Sequence, residues 1–265
     1  MTAPSFELVL LALEGAVATM TLNQPEKRNP LSATMVRELT EALAWCRSEP
    51  AVRVVVLTGA GDRAFCAGAD LASSFAAGAD QLDRHHDRRG MAELFLALRD
   101  LGKPVVGRIN GHALAGGFGL ACACDILLAV ESASFGTPEI NVGVWPMMIS
   151  ALLARNLPRK VVLEMMLLGD RWTAAQLAAV GLVSRVAADL DELDGLTAAV
   201  AAKLAAKSPA VMRLGRDAFY RMEDMTFEEA LAYLHSQLTL VTLSEDSQEG
   251  VKAFLEKREP DFKGR

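Results

Sequence analysis

Two glycine-rich turns and one glutamate are the residues of this chain whose types and spacing suit chemistry. The first turn lies in the stretch 103–145, KPVVGRINGHALAGGFGLACACDILLAVESASFGTPEINVGVW. It reads as a strand from Pro104 to Ile109, a turn from Asn110 to Gly117 and an apolar helix start. A second strand from Asp125 to Val130 follows, then a loop ending at Thr137, Pro138 and Glu139. Glycine lets backbone approach a ligand closely, and a helix that starts there points unpaired N–H groups outward. Such donors can hold a developing negative charge. The second turn, GAGDRAFCAGADL at 59–71, follows a run rich in valine, Val52 to Leu57, which has the composition of a strand buried on both faces. Glu139 is followed by Ile140, Val142, Val144 and Trp145. Apolar neighbours raise a carboxyl pKa towards neutrality and suit it to proton transfer.

The elements that must position these groups are legible from periodicity and punctuation. Phe6–Leu13 and Val17–Leu22 flank Glu14-Gly15 as a hairpin, and the loop NQPEKRNPLS carries Lys27 and Arg28. Ser32 caps a helix whose Met35, Val36, Leu39, Leu43 and Cys46 recur at helical spacing until Pro50. Residues 72–89, poor in large apolar side chains, read as a mobile loop, followed by a helix from Gly90 to Leu101. Helices are expected over Met147–Asn156 and Arg159–Leu168. Thr173 and Gln176 form a capping-box pattern that Gly181 closes, and Leu182–Val186 is a last strand. The remainder is helical, with Ser208-Pro209 and Thr226-x-x-Glu229 as start signals. Three strand-turn-helix units, marked by Gly59, Gly111 and Gly136, suggest a weak repeat at roughly 50-residue spacing. The fold class is therefore α/β, with a helical C-terminal module.

Composition narrows the partners. A chain of 265 residues, 51% hydrophobic and 23% charged, buries a large core. Its net charge of −6 disfavours nucleic acid, so a polyanionic ligand needs a local basic cluster. No stretch reads as a secretory leader or a membrane span, and the cytoplasm is the expected location. Cys46, Cys66, Cys122 and Cys124 lack zinc-site spacing and read as reduced and mostly buried; no metal site is expected from them or from the scattered histidines. Serine-hydrolase, P-loop and dinucleotide fingerprints are missing.

AFCAGADL at 64–71, KPVVGRINGHALAGGFGLACACDI at 103–126, FGTPEINVGV at 135–144, LLGDRWTAAQLAAVGLVSRV at 167–186 and GVKAFLEKR at 250–258 together resemble the crotonase superfamily of enoyl-CoA hydratases and isomerases. The resemblance covers nearly the whole chain. It implies a spiral of repeated β-β-α units over 1–195 and a helical module over 196–265 used in trimerisation, with trimers that often pair into hexamers. It also implies an acyl-CoA thioester as substrate, with coenzyme A as part of that substrate and no separate cofactor. By resemblance the amides of Ala69 and Gly116 hold the thioester oxygen and Glu139 moves protons, with Pro138 and Trp145 beside it. Ala67, Ala69 and Leu71 match the adenine and pantetheine channel, and Asp70 is structural or near the coenzyme. Lys27 and Arg28 lie near the coenzyme in relatives. Phe254 and Lys257 match residues that reach the nucleotide from a neighbouring subunit, although the basic tail also reads as a solvated end.

The chain departs from the family at one position. Two-glutamate hydratases carry a second glutamate where this chain has Gly119. That substitution favours double-bond isomerisation by one carboxylate over addition of water, and it is expected to leave room for a bulkier substrate or for another side chain from elsewhere. Hydratase activity is the alternative, followed by a lyase-type hydratase acting on an aromatic acyl-CoA, in which His235 faces the substrate. From another class comes a catalytically silent acyl-CoA-binding protein.

Overall fold

The computed structural model describes residues 3–69 and 81–265. The chain opens with strands β1 (Val9–Glu14) and β2 (Val17–Leu22), an antiparallel pair in which Val9 faces Leu22 and Glu14 faces Val17. Helix α1 (Ala33–Ser48) follows, and the Ser32 side chain accepts from the Met35 N–H as its cap. Strand β3 (Val54–Gly59) is buried along its whole length, as its valine run implies. The main sheet is completed by β5 (Val105–Ile109), β7 (Ile126–Val130) and β10 (Arg185–Ala187), in the order β1-β2-β3-β5-β7-β10, parallel from β2 onward.

A second, smaller sheet is built from the segments that read as turns. Its strands are β4 (Ala64–Cys66), β6 (His112–Leu114), β8 (Ser134–Gly136) and β9 (Arg171–Thr173). The first three run parallel, with Cys66 opposite Ala113 and Leu114 opposite Gly136; β9 closes the edge antiparallel. Each of β3, β5 and β7 thus hands the chain to one short strand of the small sheet before a helix begins. These helices are α2 (Gln81–Arg99), α3 (Gly116–Cys122) and α4 (Met147–Asn156). The repeat is real in topology but uneven in length, because β3 starts at 54, β5 at 105 and β7 at 126.

The start of α2 corrects the expected loop. Residues 81–89 are helical and Gly90 lies inside the helix, while 72–80 fall outside the described residues. Charged surface residues hid its periodicity; Arg89 bonds Glu93 one turn on at 2.8 Å, as an exposed i,i+4 pair does. Helices α4 and α5 (Arg159–Leu168) have the expected bounds, and α6 (Ala174–Ala179) starts at the Thr173–Gln176 capping box. Helix α7 (Leu190–Ala205) crosses the boundary expected at 195/196 and buries Leu193, Thr197 and Ala201 on the main sheet side. The α8 (Pro209–Met222), α9 (Phe227–Leu243) and α10 (Glu245–Glu256) helices follow. No described helix is long and apolar enough to cross a membrane.

One ion pair, between a buried Arg216 and a partly exposed Asp125, fastens the C-terminal helices to the core. Arg216 of α8 donates its Nε to both carboxylate oxygens of Asp125, at 3.1 and 2.9 Å, and its terminal nitrogens to the carbonyls of Arg99 and Leu98. Asp125 also accepts from the Val105 N–H and from the Tyr220 hydroxyl. Breaking a buried pair from one side leaves an uncompensated charge and costs about 3–5 kcal/mol. Asp125→Ala is therefore expected to lower unfolding stability by roughly that amount in urea titrations. The double variant Asp125→Leu/Arg216→Met should lose less than the single one, and an equal or larger loss would refute this account.

Candidate active site

Three parallel strand ends converge to make the site. The carboxyl end of β4 leads into Ala67-Gly68-Ala69, that of β6 into Ala115-Gly116, and that of β8 into Thr137-Pro138-Glu139. Because β6 is hydrogen-bonded to both neighbours, these three segments leave the small sheet side by side. Carboxyl ends of parallel strands are where open α/β sheets bind ligands.

The two expected N–H donors are brought together. The main-chain nitrogen of Ala69 lies 3.7 Å from where a Cβ on Gly116 would stand. Ala69 pairs with Leu31 in an isolated parallel bridge in which the Leu31 N–H donates to the Gly68 carbonyl at 2.8 Å. In such a bridge the flanking peptides make the bonds, so the Ala69 N–H points to the other side. Gly116 is the first residue of α3, the position at which a helical N–H lacks an intrahelical acceptor, and the Ala115 carbonyl takes the N–H groups of Phe118 and Gly119 behind it. The turns fit only with small residues. Gly68 has φ +98° and a Cβ there would come within 2.6 Å of the Ala115 Cβ; a Cβ on Gly117 would come within 2.7 Å of the Cys66 Cβ. Ala115 itself is held at φ 50°, ψ −127°, a conformation that costs a non-glycine residue of order 1–3 kcal/mol. Its N–H is fixed to the Gly136 carbonyl at 2.9 Å.

Two buried asparagines that sequence reading passed over hold this geometry. Asn29, at φ 53°, accepts from the Gln24 N–H and donates to the carbonyls of Ala60 and Ala64, tying the Arg28 loop to β4. Asn110 accepts from the Gly59 N–H and donates to the Gly61 carbonyl, tying the end of β5 to the turn before β4. Their dipeptides, Asn29-Pro30 and Asn110-Gly111, are turn signals in the sequence, but burial of the side chains is not.

Glu139 sits in a short 3₁₀ turn, Pro138–Val142, opened by Pro138 and closed by Gly143 in a left-handed conformation. Thr137 anchors the turn by donating its hydroxyl to the Met165 carbonyl of α5 at 2.9 Å. The Glu139 carboxyl is raised above the ordinary value, chiefly because burial disfavours its charge. Its Oε2 is buried without a hydrogen-bond partner among the described residues. A half-buried carboxyl with one unmatched oxygen is a group held for something other than stability. Trp145 packs half-buried against the core beyond this turn.

At Gly119 the second of the two expected outcomes is found, a side chain from elsewhere in the chain. Gly119 is buried in α3, and the space in front of it is filled rather than open to substrate. A Cβ there would come within 3.0 Å of the Ile149 Cβ and 3.1 Å of the Phe95 ring, with the Ile149 Cγ2 nearer still. The missing side chain is replaced by a β-branched residue from α4. A cavity of about 830 Å³ lies between α2, α4 and α8 and is lined by Phe95, Met147, Met148, Leu152 and Phe219.

The basic cluster differs from the one expected. Arg28 joins Arg63, Arg171 and His112 around a pocket of about 380 Å³ that Ala67 and Leu114 also line. Arg63 precedes β4, Arg171 opens β9 and His112 opens β6, so the small sheet assembles them from distant parts of the chain. Ala67 donates its N–H to the Arg28 carbonyl at 3.0 Å. Lys27 is exposed and does not line this pocket. Phe254, 82% exposed, and Lys257, a left-handed cap, lie on and after α10. His235 is exposed on α9. Asp70 and Leu71 lie outside the described residues. All four cysteines are buried and free, and burial pushes the Cys66 thiol up to about 12.

Comparison with known proteins agrees with this architecture. A family model described as Enoyl-CoA hydratase/isomerase matches residues 12–265. The chain is 34% identical to (E)-benzylidenesuccinyl-CoA hydratase of Thauera aromatica over 257 residues, covering 97% of this chain and 99% of the relative. It is 34% identical to 2,3-dehydroadipyl-CoA hydratase of Escherichia coli, with the same two coverages. Among solved structures, an enoyl-CoA hydratase of Mycobacterium smegmatis superposes with a TM-score of 0.92 at 34% identity, covering 97% of this chain and 99% of that one. With converging strand ends, a family match along nearly the whole chain and near-complete coverage of its relatives, the protein belongs to the enoyl-CoA hydratase/isomerase family of the crotonase superfamily.

Proposed function

We propose that this acyl-CoA enzyme shifts the double bond of an enoyl-CoA, with Glu139 as the single acid/base. The Ala69 and Gly116 N–H groups polarise the thioester oxygen. Glu139 takes a proton from C2 of a 3-enoyl-CoA, the electron pair passes into an enolate held by the two amides, and Glu139 returns the proton at C4 to give the 2-enoyl product. A single oxyanion donor is worth about 2.7–4 kcal/mol of barrier in well-studied enzymes. The observation that carries this reading is Ile149 packed in front of Gly119. A methyl group there cannot hold or activate water, whereas a proton shuttle needs only one carboxylate and benefits from an apolar wall.

Hydration is the second reading, favoured by the names of the two relatives and the solved structure given above, all of them hydratases. The Arg28, Arg63 and Arg171 pocket would hold phosphates of the coenzyme, which is part of the substrate; no further cofactor is needed for either reaction. A homotrimer, extended to a hexamer by pairing, is supported by α9, which buries none of its residues within one chain although Phe227, Leu231, Leu238 and Leu243 are apolar.

Glu139→Gln is expected to slow conversion of a 3-enoyl-CoA by 10²-fold or more, the usual contribution of a positioned acid/base. Full turnover in that variant would end the proposal. Because the base must be ionised and burial raises its pKa, the rate should fall on the acid side through a pH above the ordinary carboxylate value of 4.5. The same sign has a consequence for stability. A carboxyl with a raised folded pKa favours the folded state below its unfolded value and loses that contribution as pH rises through the folded value. Glu139→Gln should accordingly unfold at higher temperature than the parent at neutral pH, and a lower midpoint would contradict the assignment of burial as the cause. Gly119→Ala should lower stability by about 1–3 kcal/mol through overpacking. Ile149→Leu, which moves the branch off Cβ, should recover part of that loss when combined with it; additive losses would show that the two positions do not meet. Loss of the conjugated enoyl absorbance in water separates hydration from isomerisation.

A further inference from the structure

His112 is the member of the basic pocket whose charge can change. It opens β6, with Ala64 of β4 on one side and β8 on the other. Its Nδ1 is 2.9 Å from the Ser134 hydroxyl, which leaves Nε2 as the nitrogen available to a ligand in the pocket. Facing the same space are Arg28 from the first loop, Arg63 before β4 and Arg171 of β9, together with the Asp62 carboxylate and Ser132, so the three arginines outnumber the one acid. The ring is disfavoured as a cation by burial first, then by Arg171 and Arg28. Two of those three causes are repulsions that an anion seated among the guanidinium groups would cancel. An anion that makes the imidazolium easier to form must bind more tightly when the imidazolium is present, since the coupling is reciprocal.

We propose that His112 is a fourth, conditional cation of this pocket, which takes up a proton when a phosphate or diphosphate group of the coenzyme enters. The bond to Ser134 keeps the ring oriented in both charge states, because the hydroxyl can accept from Nδ1–H or donate to bare Nδ1. Phosphate binding is thereby strengthened towards acid pH, the direction opposite to that set by Glu139, which must be ionised to act as a base. Substrate affinity and turnover then respond oppositely to pH. This inference rests on the acyl-CoA reading but not on which reaction follows.

The test uses binding alone. Titration calorimetry of the full chain with CoA, in buffers of different ionisation enthalpy, counts protons taken up; inorganic pyrophosphate is a second probe. The parent is expected to take up a fraction of a proton more than His112→Asn, whose amide can still bond Ser134. Between pH 8 and 6 the affinity of the parent relative to the variant should rise several-fold. Dephospho-CoA and pantetheine locate the group: a difference lost with dephospho-CoA assigns the terminal phosphate, and one lost only with pantetheine assigns the diphosphate. Equal proton uptake in parent and variant with both CoA and pyrophosphate would overturn the proposal. So would a difference that persists with pantetheine, which carries no phosphate. Because no turnover is measured, failure of the isomerase reading would leave these results unaffected.

Discussion

Hydrogen bonding among three short parallel strands is the constraint on which the site depends. Strands β4, β6 and β8 are three residues each, too short to be stable alone, and each follows a long strand of the main sheet. Their register puts the chain ends that follow Cys66, Leu114 and Gly136 in one row. Shifting one strand by a residue would turn its side chains to the other face and move its terminal amide by more than 3 Å. The large buried aromatics resist such a slip. Phe118 of α3 meets Phe135 of β8 edge to face, with centroids 5.6 Å apart, and Phe65 of β4 is fully buried. Packing of three phenylalanines thus fixes the positions of two amides and a carboxyl.

The same row of turns stores strain, and the stabilising contacts lie one layer behind it. Ala115 is held in an unfavourable conformation by its bond to Gly136 and by contact with Gly68. Asn29 and Asn110 satisfy backbone groups that would otherwise be orphaned around the turns, each worth about 1–3 kcal/mol if left unpaired. Activity of the amides requires that they not be satisfied internally, so neighbouring turns must be satisfied fully. A site of this kind is preorganised by its second layer of hydrogen bonds, and its donors need no rearrangement when charge develops on the ligand.

What the sequence disclosed follows from which signals are local. The Ser32 cap, the Thr173 and Thr226 boxes and the valine run of β3 depend on neighbours in the chain, and each is found where periodicity and capping chemistry put it. The small sheet was not legible, because strands of three residues embedded in glycine look like turns until their partners are known. The first half of α2 was not legible, because the charged sequence there carries no apolar stripe to read. Ala69, Gly116 and Glu139 were singled out by likeness to the family, and the structure places them at the ends of adjacent strands of the small sheet. Arg63, Arg171 and His112 were not singled out, as nothing in their local sequence says that one edge of a sheet will gather them. Ile149 in front of Gly119 is of the same kind: the vacancy is visible in the sequence, and its occupant comes from the next helix.

That distinction bears on how a chain with a net charge of −6 accommodates a polyanion. At physiological ionic strength charges beyond about 8 Å are largely screened, so the acidic surface contributes little at the site and the local cluster decides. Three guanidinium groups drawn from positions 28, 63 and 171 converge only after the small sheet has paired, so the phosphate site proposed there is created by folding of that sheet. The same pairing aligns the Ala69 and Gly116 amides, to which we assign polarisation of the thioester. On the proposed assignment, anchoring of the nucleotide and activation of the acyl group are two ends of one structural element, and a change in the register of that sheet would disturb both together rather than either alone.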